Sequence, residues 1–495
     1  MDRIRERTAF QMAQRRVPDL FRGTGTPRTV IVVPSLSMDG AGLRKIPGVN
    51  HYEERLLFLL QLLRDPGTKL VYVTSEPVAP EILEYALDLV PSLPRAHARS
   101  RLTMLDCGTG EPIPLTAKVL RRPDLLARLR ALAGDDAVLV TFTSSGLEQT
   151  LAVRLGVPLY APDPDFAELG SKSGARRLFL EAGVPVAPGV EGLRDLDDVV
   201  SALAALRARV PGMPNAIIKL NDSFGAGGNV LFSFAGAPVT GLEPWLRREL
   251  PRRAVFAAPP DDWDNYLGKV TAMGAVVEQL VDGDEVASPS VQVIMGAAGD
   301  VGVLSTHDQV LDGQIFAGCA FPARAVYRLE IQELALRAAA VLAAKSIVGI
   351  ASVDFISVRT GHQWTHYALE LNLRMGGGTA PYFLLHGLVE GNYDPLTGRY
   401  LTPEGAPRAY FATDRLYRGE YRALSPSDVV DTLVRERLHF RTGTRTGAVA
   451  YMLGGLEIGR FGIVVVERDP DTAERRYHDF VRAVDLRVGR VAQTG

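Results

Sequence analysis

The chain has 495 residues, beyond what one hydrophobic core usually serves, so two to four domains are expected. With 46 % hydrophobic and 23 % charged residues and a formal net charge of -2, it has the composition of a soluble globular protein and gives no reason to expect nucleic acid or an anionic membrane as partner. Two cysteines far apart, Cys107 and Cys319, fit a reducing compartment without a disulfide framework, and no apolar run approaches a membrane span, so a cytoplasmic protein is expected.

Residues 1–26 read as an Arg-rich helix and a linker; the helix repeats Phe10, Ala13, Val17 and Leu20 but lacks the unbroken apolar core of a signal peptide. Across 27–165, apolar β-branched runs at Thr29–Val33, Lys69–Thr74, Ala137–Phe142 and Val157–Tyr160 alternate with helical stretches at His51–Arg64, Pro80–Leu89, Pro123–Ala133 and Ser145–Leu155. That alternation predicts an open, mostly parallel α/β domain. Leu102–Leu115 reads as an insertion without a role. Over 166–410 the texture becomes α+β, with a helix at Lys172–Ala182, alternating strands, Gly-rich turns and an Ala-rich helix at Leu329–Ala344. A last α+β unit, 411–495, holds a helix at Pro426–Leu438, strands at Ala448–Met452 and Gly462–Val466, and a helix at Asp471–Val484.

Four segments carry polar residues that suggest chemistry. Lys172 opens its helix, where backbone N–H groups and the helix dipole favour an anion, although alone it reads first as a surface lysine. Lys219 lies inside the apolar strand Asn215–Leu220 and needs an anion to stay charged; the loop behind it, Ser223 to Gly228 with Gly225 and Gly227, would let backbone approach phosphate, or else turn a β-hairpin. Glu278-Gln279-Leu280-Val281 ends another apolar strand, and its backbone edge could pair with adenine. Glu285, seven residues past Glu278, could accept from both ribose hydroxyls; taken alone, the segment reads first as an acidic hairpin. The fourth segment is Asp354 on one strand with Glu370 and Asn372 two apart on the next, so that the latter two share a face. Charge inside an apolar strand needs a partner, and three hard oxygen donors suit Mg²⁺, which takes its other ligands from water and phosphate. Arg374 continues onto that face.

In this order, the parts resemble the ATP-grasp superfamily across roughly Asp165 to Pro381. Lys172 stands eleven residues ahead of the Gly183 in an Ala-Gly-Val-Pro step, and Lys219 precedes the glycine loop. Glu278-Xaa-Xaa-Val281 with Glu285 follows, and Asp354 with Glu370-Xaa-Asn372-Xaa-Arg374 closes the set. Two positions depart: the Arg that many members place two before the first metal Asp is Ser352, which passes the transition-state role to Arg374, and the hinge position often held by Lys is Gln279. Val33-Pro-Ser-Leu-Ser, Asn50–Leu56, His307–Leu311, Gly318–Pro322 and Gly459–Gly462 add a whole-chain resemblance to the pheganomycin-type peptide ligases.

The resemblance implies a pre-ATP-grasp α/β domain (27–165), an ATP-grasp domain (166–410, its lid within 170–277) and a C-terminal domain (411–495). It implies an ATP- and Mg²⁺-dependent carboxylate–amine ligase of secondary metabolism that forms an amide through an acyl phosphate. Lys172 and Lys219 would hold α- and β-phosphates, the Ser223–Gly228 loop would close over them, and Asp354, Glu370 and Asn372 would hold the metal. His307, Gln309, Arg324 and Tyr382 are candidate substrate contacts, His307 reading equally as a core histidine. A homodimer is compatible with the family, although no decisive apolar face is visible. The contrasting expectation is a non-catalytic nucleotide-binding regulator, with Ser352 and Gln279 as its hints; a biotin-carboxylase-like enzyme is a third, without a carrier segment in the chain.

Overall fold

The computed structural model describes residues 3–21, 28–38, 40–222, 227–257, 262–313 and 315–494. Apolar β-branched runs pair side by side as a first sheet of β1 (Arg28–Val33), β2 (Thr68–Thr74), β3 (Leu102–Asp106), β4 (Val138–Thr141) and β5 (Leu159–Tyr160). All its pairings are parallel, in the order β3-β2-β1-β4-β5. Every residue of β1 is buried, as expected for a strand covered on both faces. The segment read as an insertion supplies edge strand β3 and leads into a helix at Leu115–Leu120. An edge strand with three half-exposed residues has no continuous apolar run, which is why the pattern did not show it. The His51–Arg64 helix is present, but as a 3-10 helix over Val49–Arg64.

A second, antiparallel sheet has the order β6-β10-β7-β8-β9, from β6 (Gly189–Leu193), β7 (Asn215–Leu220), β8 (Asn229–Ser233), β9 (Val255–Phe256) and β10 (Ala275–Gln279). Its helices Leu196–Arg209, Leu242–Arg253 and Trp263–Met273 close over a core of its own, in which Leu203, Ile218, Phe232, Leu246 and Val277 are buried.

The third sheet begins with β11 (Glu285–Ala287), β12 (Pro289–Met295), β13 (Val301–Asp312), β14 (Ile315–Phe321), β15 (Gly349–Thr360) and β16 (Gln363–Asn372). It continues through β17 (Asn392–Asp394), β18 (Arg399–Leu401), β19 (Pro407–Tyr417), β20 (Gly447–Tyr451) and β21 (Arg460–Glu467). The boundary expected between residues 410 and 411 falls inside β19, whose Ala409–Thr413 pair residue by residue with β21. The last unit therefore extends this sheet, hydrogen-bonded to it through the junction.

One apolar cluster joins the first sheet to the end of the chain, burying Val30, Leu56 and Phe58 with Phe383, Val449, Phe461 and Val464. Phe58 stacks on Phe383 at 5.1 Å between ring centres, a contact worth about 0.5–1.5 kcal/mol beyond its area. The Val49–Arg64 helix is thereby clamped between the α/β sheet, the Thr379–Leu388 helix and the β20–β21 hairpin.

Candidate active site

The acidic pair arises from strand register. Asp354 on β15 lies directly opposite Glu370 on β16, and Ser352 opposite Asn372, with an irregularity immediately after Asp354. Asn372 donates its Nδ2–H to Asp354 Oδ2 at 3.1 Å, and Ser290, paired with Asp354 from β12, donates its hydroxyl to Oδ1 at 2.6 Å. Lys172 Nζ meets Glu370 Oε1 at 3.0 Å. Arg374 donates to Asn372 Oδ1 at 2.9 Å and to the Met375 carbonyl at 3.0 Å. Burial, then the Glu370 charge, pushes the Asp354 carboxyl up to about 6. Burial works the same way on Glu370, but Lys172 and Arg374 more than offset it and hold that carboxyl below its usual range. Burial lowers the Arg374 guanidinium, the Glu370 and Asp354 carboxylates oppose this, and the charge of Arg55 adds to it.

These groups fit Mg²⁺. Asp354, Glu370 and the Asn372 amide offer hard oxygens only, and the raised Asp354 carboxyl marks a place where two half-buried carboxylates lie close together. Among the described residues no group of three or more His, Cys, Asp or Glu is placed to hold a metal ion.

The second lysine sits in a buried ion cluster. Lys219 on β7 is level with Val276 on β10, so Glu278 is its diagonal neighbour on the same face. Lys219 Nζ meets Glu278 Oε2 at 2.6 Å, and Arg176 takes the other oxygen. Glu278 is 2 % exposed; burial would raise its carboxyl, but the charges of Lys219 and Arg176 hold it below the usual range. Arg176 also donates to the Ala187 carbonyl at 3.0 Å and to Glu191 at 3.2 Å. The two lysines are tied by Asn221. Its Oδ1 accepts from the Ser173 backbone at 3.0 Å and hydroxyl at 2.7 Å, and its carbonyl accepts from Lys172 N–H at 3.1 Å.

Arg176 and Asn221 were not singled out from sequence. The available signals were spacing: Arg176 is four residues after Lys172 on one helix face, and Asn221 two after Lys219.

Ser223 and Gly225 lie outside the described residues. Gly228 is buried, and its carbonyl accepts from Leu220 N–H and the Tyr266 hydroxyl, each at 3.0 Å; Gly227 is exposed. Gln279, Leu280 and Val281 are half-buried; the Gln279 N–H donates to Pro188 at 2.8 Å and the Leu280 N–H to Asn215 at a longer 3.3 Å. Glu285 stands at the exposed end of β11, held by Arg324 on one oxygen and by Arg359 on the other at 3.1 Å. Arg324 also lies over the rings of Tyr327 and Trp364, at 4.9 and 5.1 Å. Gln309 is half-buried on β13. His307 is 2 % exposed; its Nε2 pairs with the Tyr410 hydroxyl at 2.5 Å, and burial holds its pKa down at about 3, so the ring is neutral. Tyr382 is 5 % exposed, stacked parallel to His386.

Residues 245–395 match the family described as IQCH-like, ATP-grasp. The L-propargylglycine–L-glutamate ligase of Streptantibioticus cattleyicolor is 31 % identical over 468 residues, covering 92 % of this chain and 93 % of that protein. Among solved structures, a biotin carboxylase–β,γ-ATP complex from Campylobacter jejuni superposes with a TM-score of 0.55 at 12 % identity, covering 94 % of this chain and 95 % of that one. The biotin carboxylase domain of Hydrogenobacter thermophilus 2-oxoglutarate carboxylase, in complex with MgADP, ADP and bicarbonate, gives 0.54 at 13 % identity, covering 94 % of each chain. These structural likenesses establish the fold, and the Streptantibioticus relative spans nearly all of both chains. The protein belongs to the ATP-grasp ligases, in one family with L-propargylglycine–L-glutamate ligase.

Proposed function

We propose that this chain uses ATP, with Mg²⁺, to join the carboxylate of an amino acid or short peptide to the amine of another amino acid, through an acyl phosphate. One observation carries the reading: Lys172, Glu370, Asp354, Asn372 and Arg374 form an unbroken chain of contacts beside the buried Lys219–Glu278 pair. The relative's named substrates, L-propargylglycine and L-glutamate, support two amino acids as the substrate class.

The reaction balances as two displacements. A donor carboxylate oxygen attacks the γ-phosphorus, and the bond to the bridging oxygen breaks to release ADP. The amine nitrogen then attacks the acyl carbon, the bond to phosphate breaks, and the nitrogen loses a proton to solvent. Lys172 and Lys219 neutralise the α- and β-phosphates, and Arg374 meets the γ-phosphoryl and the acyl phosphate. All three are already fixed by carboxylate, amide or carbonyl partners, so little reorganisation is needed as charge moves. Asp354, Glu370 and Asn372 would hold Mg²⁺, which supplies charge neutralisation of the transferring phosphoryl group.

Leu280 N–H, with the longer of the two hinge bonds, is the donor for adenine, beside Gln279 and Val281. Glu285 takes the ribose hydroxyls with lone pairs left over from Arg324 and Arg359. Gln309 is half-buried and Arg324 partly exposed, whereas His307 and Tyr382 are both buried, and the His307 ring lies against Gly378. A division near 166, a C-terminal unit that shares the third sheet through β19, a cytoplasmic location and a homodimer complete the reading. No helix among the described residues is long and apolar enough to cross a membrane.

The test is phosphate release by the purified protein with ATP, Mg²⁺ and pairs of amino acids or short peptides, followed by the mass of the product. ADP, phosphate and a product one water lighter than the substrates together are expected. A melting temperature that rises with ATP while no pair yields ADP would identify a nucleotide-binding regulator instead.

A further inference from the structure

The Val49–Arg64 helix carries a cation that the proposed mechanism does not use. Arg55 lies between two rings, 4.7 Å from the centre of Tyr52 and 4.8 Å from that of Phe142, and its side chain is 10 % exposed. One nitrogen meets Asp414 Oδ2 at 2.6 Å, but its Nε is buried with no hydrogen-bond partner. Asp414 is shared: Arg460 approaches its other oxygen at 3.6 Å and donates to its carbonyl at 2.9 Å. Two guanidiniums on one carboxylate leave an excess positive charge in a nearly closed place. Such a charge is costly without an anion.

The surroundings say where the anion comes from. Phe142 directly follows β4, beside β1 at the point where the strand order of the parallel sheet reverses. Ligands of open α/β sheets sit in the crevice outside the carboxyl ends of the strands at that point. Two residues further on, the Ser144 hydroxyl is also buried without a partner. From the other side, the turn after Arg374 runs into the Thr379–Leu388 helix, which packs on the Val49–Arg64 helix. Phe142 and the helix that follows the Arg374 turn thus both meet the Val49–Arg64 helix, which carries an incompletely paired guanidinium.

We infer that Arg55 receives a second carboxylate of the substrates, one that does not react, and so selects amino acids with a charged α-carboxylate over their neutral analogues. This rests on the ligase reading above. The carboxylate belongs either to the donor, beside its activated acid group, or to the amine acceptor, and the substrate chemistry is the same.

The experiment pairs protein variants with amidated substrates, using L-glutamate, L-propargylglycine and the α-amide of each. In the wild type, amidation of the recognised substrate should raise its KM by about 10- to 100-fold, as for a lost hydrogen bond to a charged group, with kcat changed only a few-fold. Arg55→Ala should show the high KM for both forms, and Arg55→Lys an intermediate preference. Which amide loses affinity identifies the source. Asp414→Asn, which removes the ion pair but keeps the shape, should retain the preference for the carboxylate. Equal carboxylate-to-amide ratios in wild type and Arg55→Ala, or loss of the preference in Asp414→Asn alone, would overturn the inference. If the wild type turns over no substrate, the ligase reading fails and binding decides. A melting temperature raised by the acid but not the amide, in wild type and not in Arg55→Ala, supports the site; no such difference overturns it.

Discussion

Asp354 and Glu370 face one another across β15 and β16, each with a different partner: the Asn372 amide leans on Asp354 and Lys172 on Glu370. Glu370→Ala removes one carboxylate of this pair and frees Lys172. Turnover should fall roughly 100- to 1,000-fold, about 3–4 kcal/mol of transition-state stabilisation, and the magnesium concentration needed should rise. Phosphate release titrated with Mg²⁺ measures both. Chelation should abolish turnover in the wild type, and an unaltered magnesium dependence in the variant would remove the pair from the site.

Glu278 gives a prediction about acid. It is clasped by Lys219 and Arg176, and its carboxyl is held below the unfolded value of 4.5. A group depressed in this way adds stability that is present above its unfolded pKa and lost as pH falls through the folded one. Melting temperatures taken from neutral pH downward should therefore drop more steeply below about 4.5 in wild type than in Glu278→Gln. At neutral pH the variant should be about 3–5 kcal/mol less stable, since two buried cations lose their shared anion.

Asn221 tests the coupling of the two lysines. Asn221→Ala leaves the Ser173 N–H and hydroxyl and the Met273 carbonyl without their partner, at a cost of about 1–3 kcal/mol. The KM for ATP should rise while the KM for the amino acids stays near its wild-type value. Steady-state kinetics in each substrate, with a denaturant melt, distinguish this from general unfolding.

Gly378 tests the role of His307. A Cβ there would lie 2.9 Å from His307 Cε1 and 3.3 Å from Gln292 Nε2, although its backbone is ordinary right-handed helix. Gly378→Ala should cost about 1–3 kcal/mol through overpacking and lower turnover by shifting the turn that follows Arg374. His307→Gln in the same background should restore part of both, because the longer side chain can swing away where a fixed ring cannot. No rescue would mean that the ring does not set the turn.

Much of the site was legible because its residues obey local periods. Glu370 and Asn372 share a face through strand alternation, and Asp354 lies on the adjoining strand across the turn at Gly361. Lys219 was visible as a charge inside an apolar run. Arg176 and Asn221 were not, since an arginine on a helix and an asparagine after a strand are ordinary until Glu278 and Ser173 are brought to them from 102 and 48 residues away. The edge strand β3 escaped for a related reason, being only partly buried.

The order of strands and helices, the positions of both lysines and of the acidic strands, and the ligase family could all be read along the chain. Those depend on neighbours a few residues apart, where hydrophobic periodicity and steric preference act directly. Only the tertiary structure decided that β19 carries the third sheet through residue 410, that Arg176 shares Glu278 with Lys219, and that Arg55 meets Asp414 across 359 residues. Contacts of that span follow from packing of whole sheets and helices, and no local pattern encodes them.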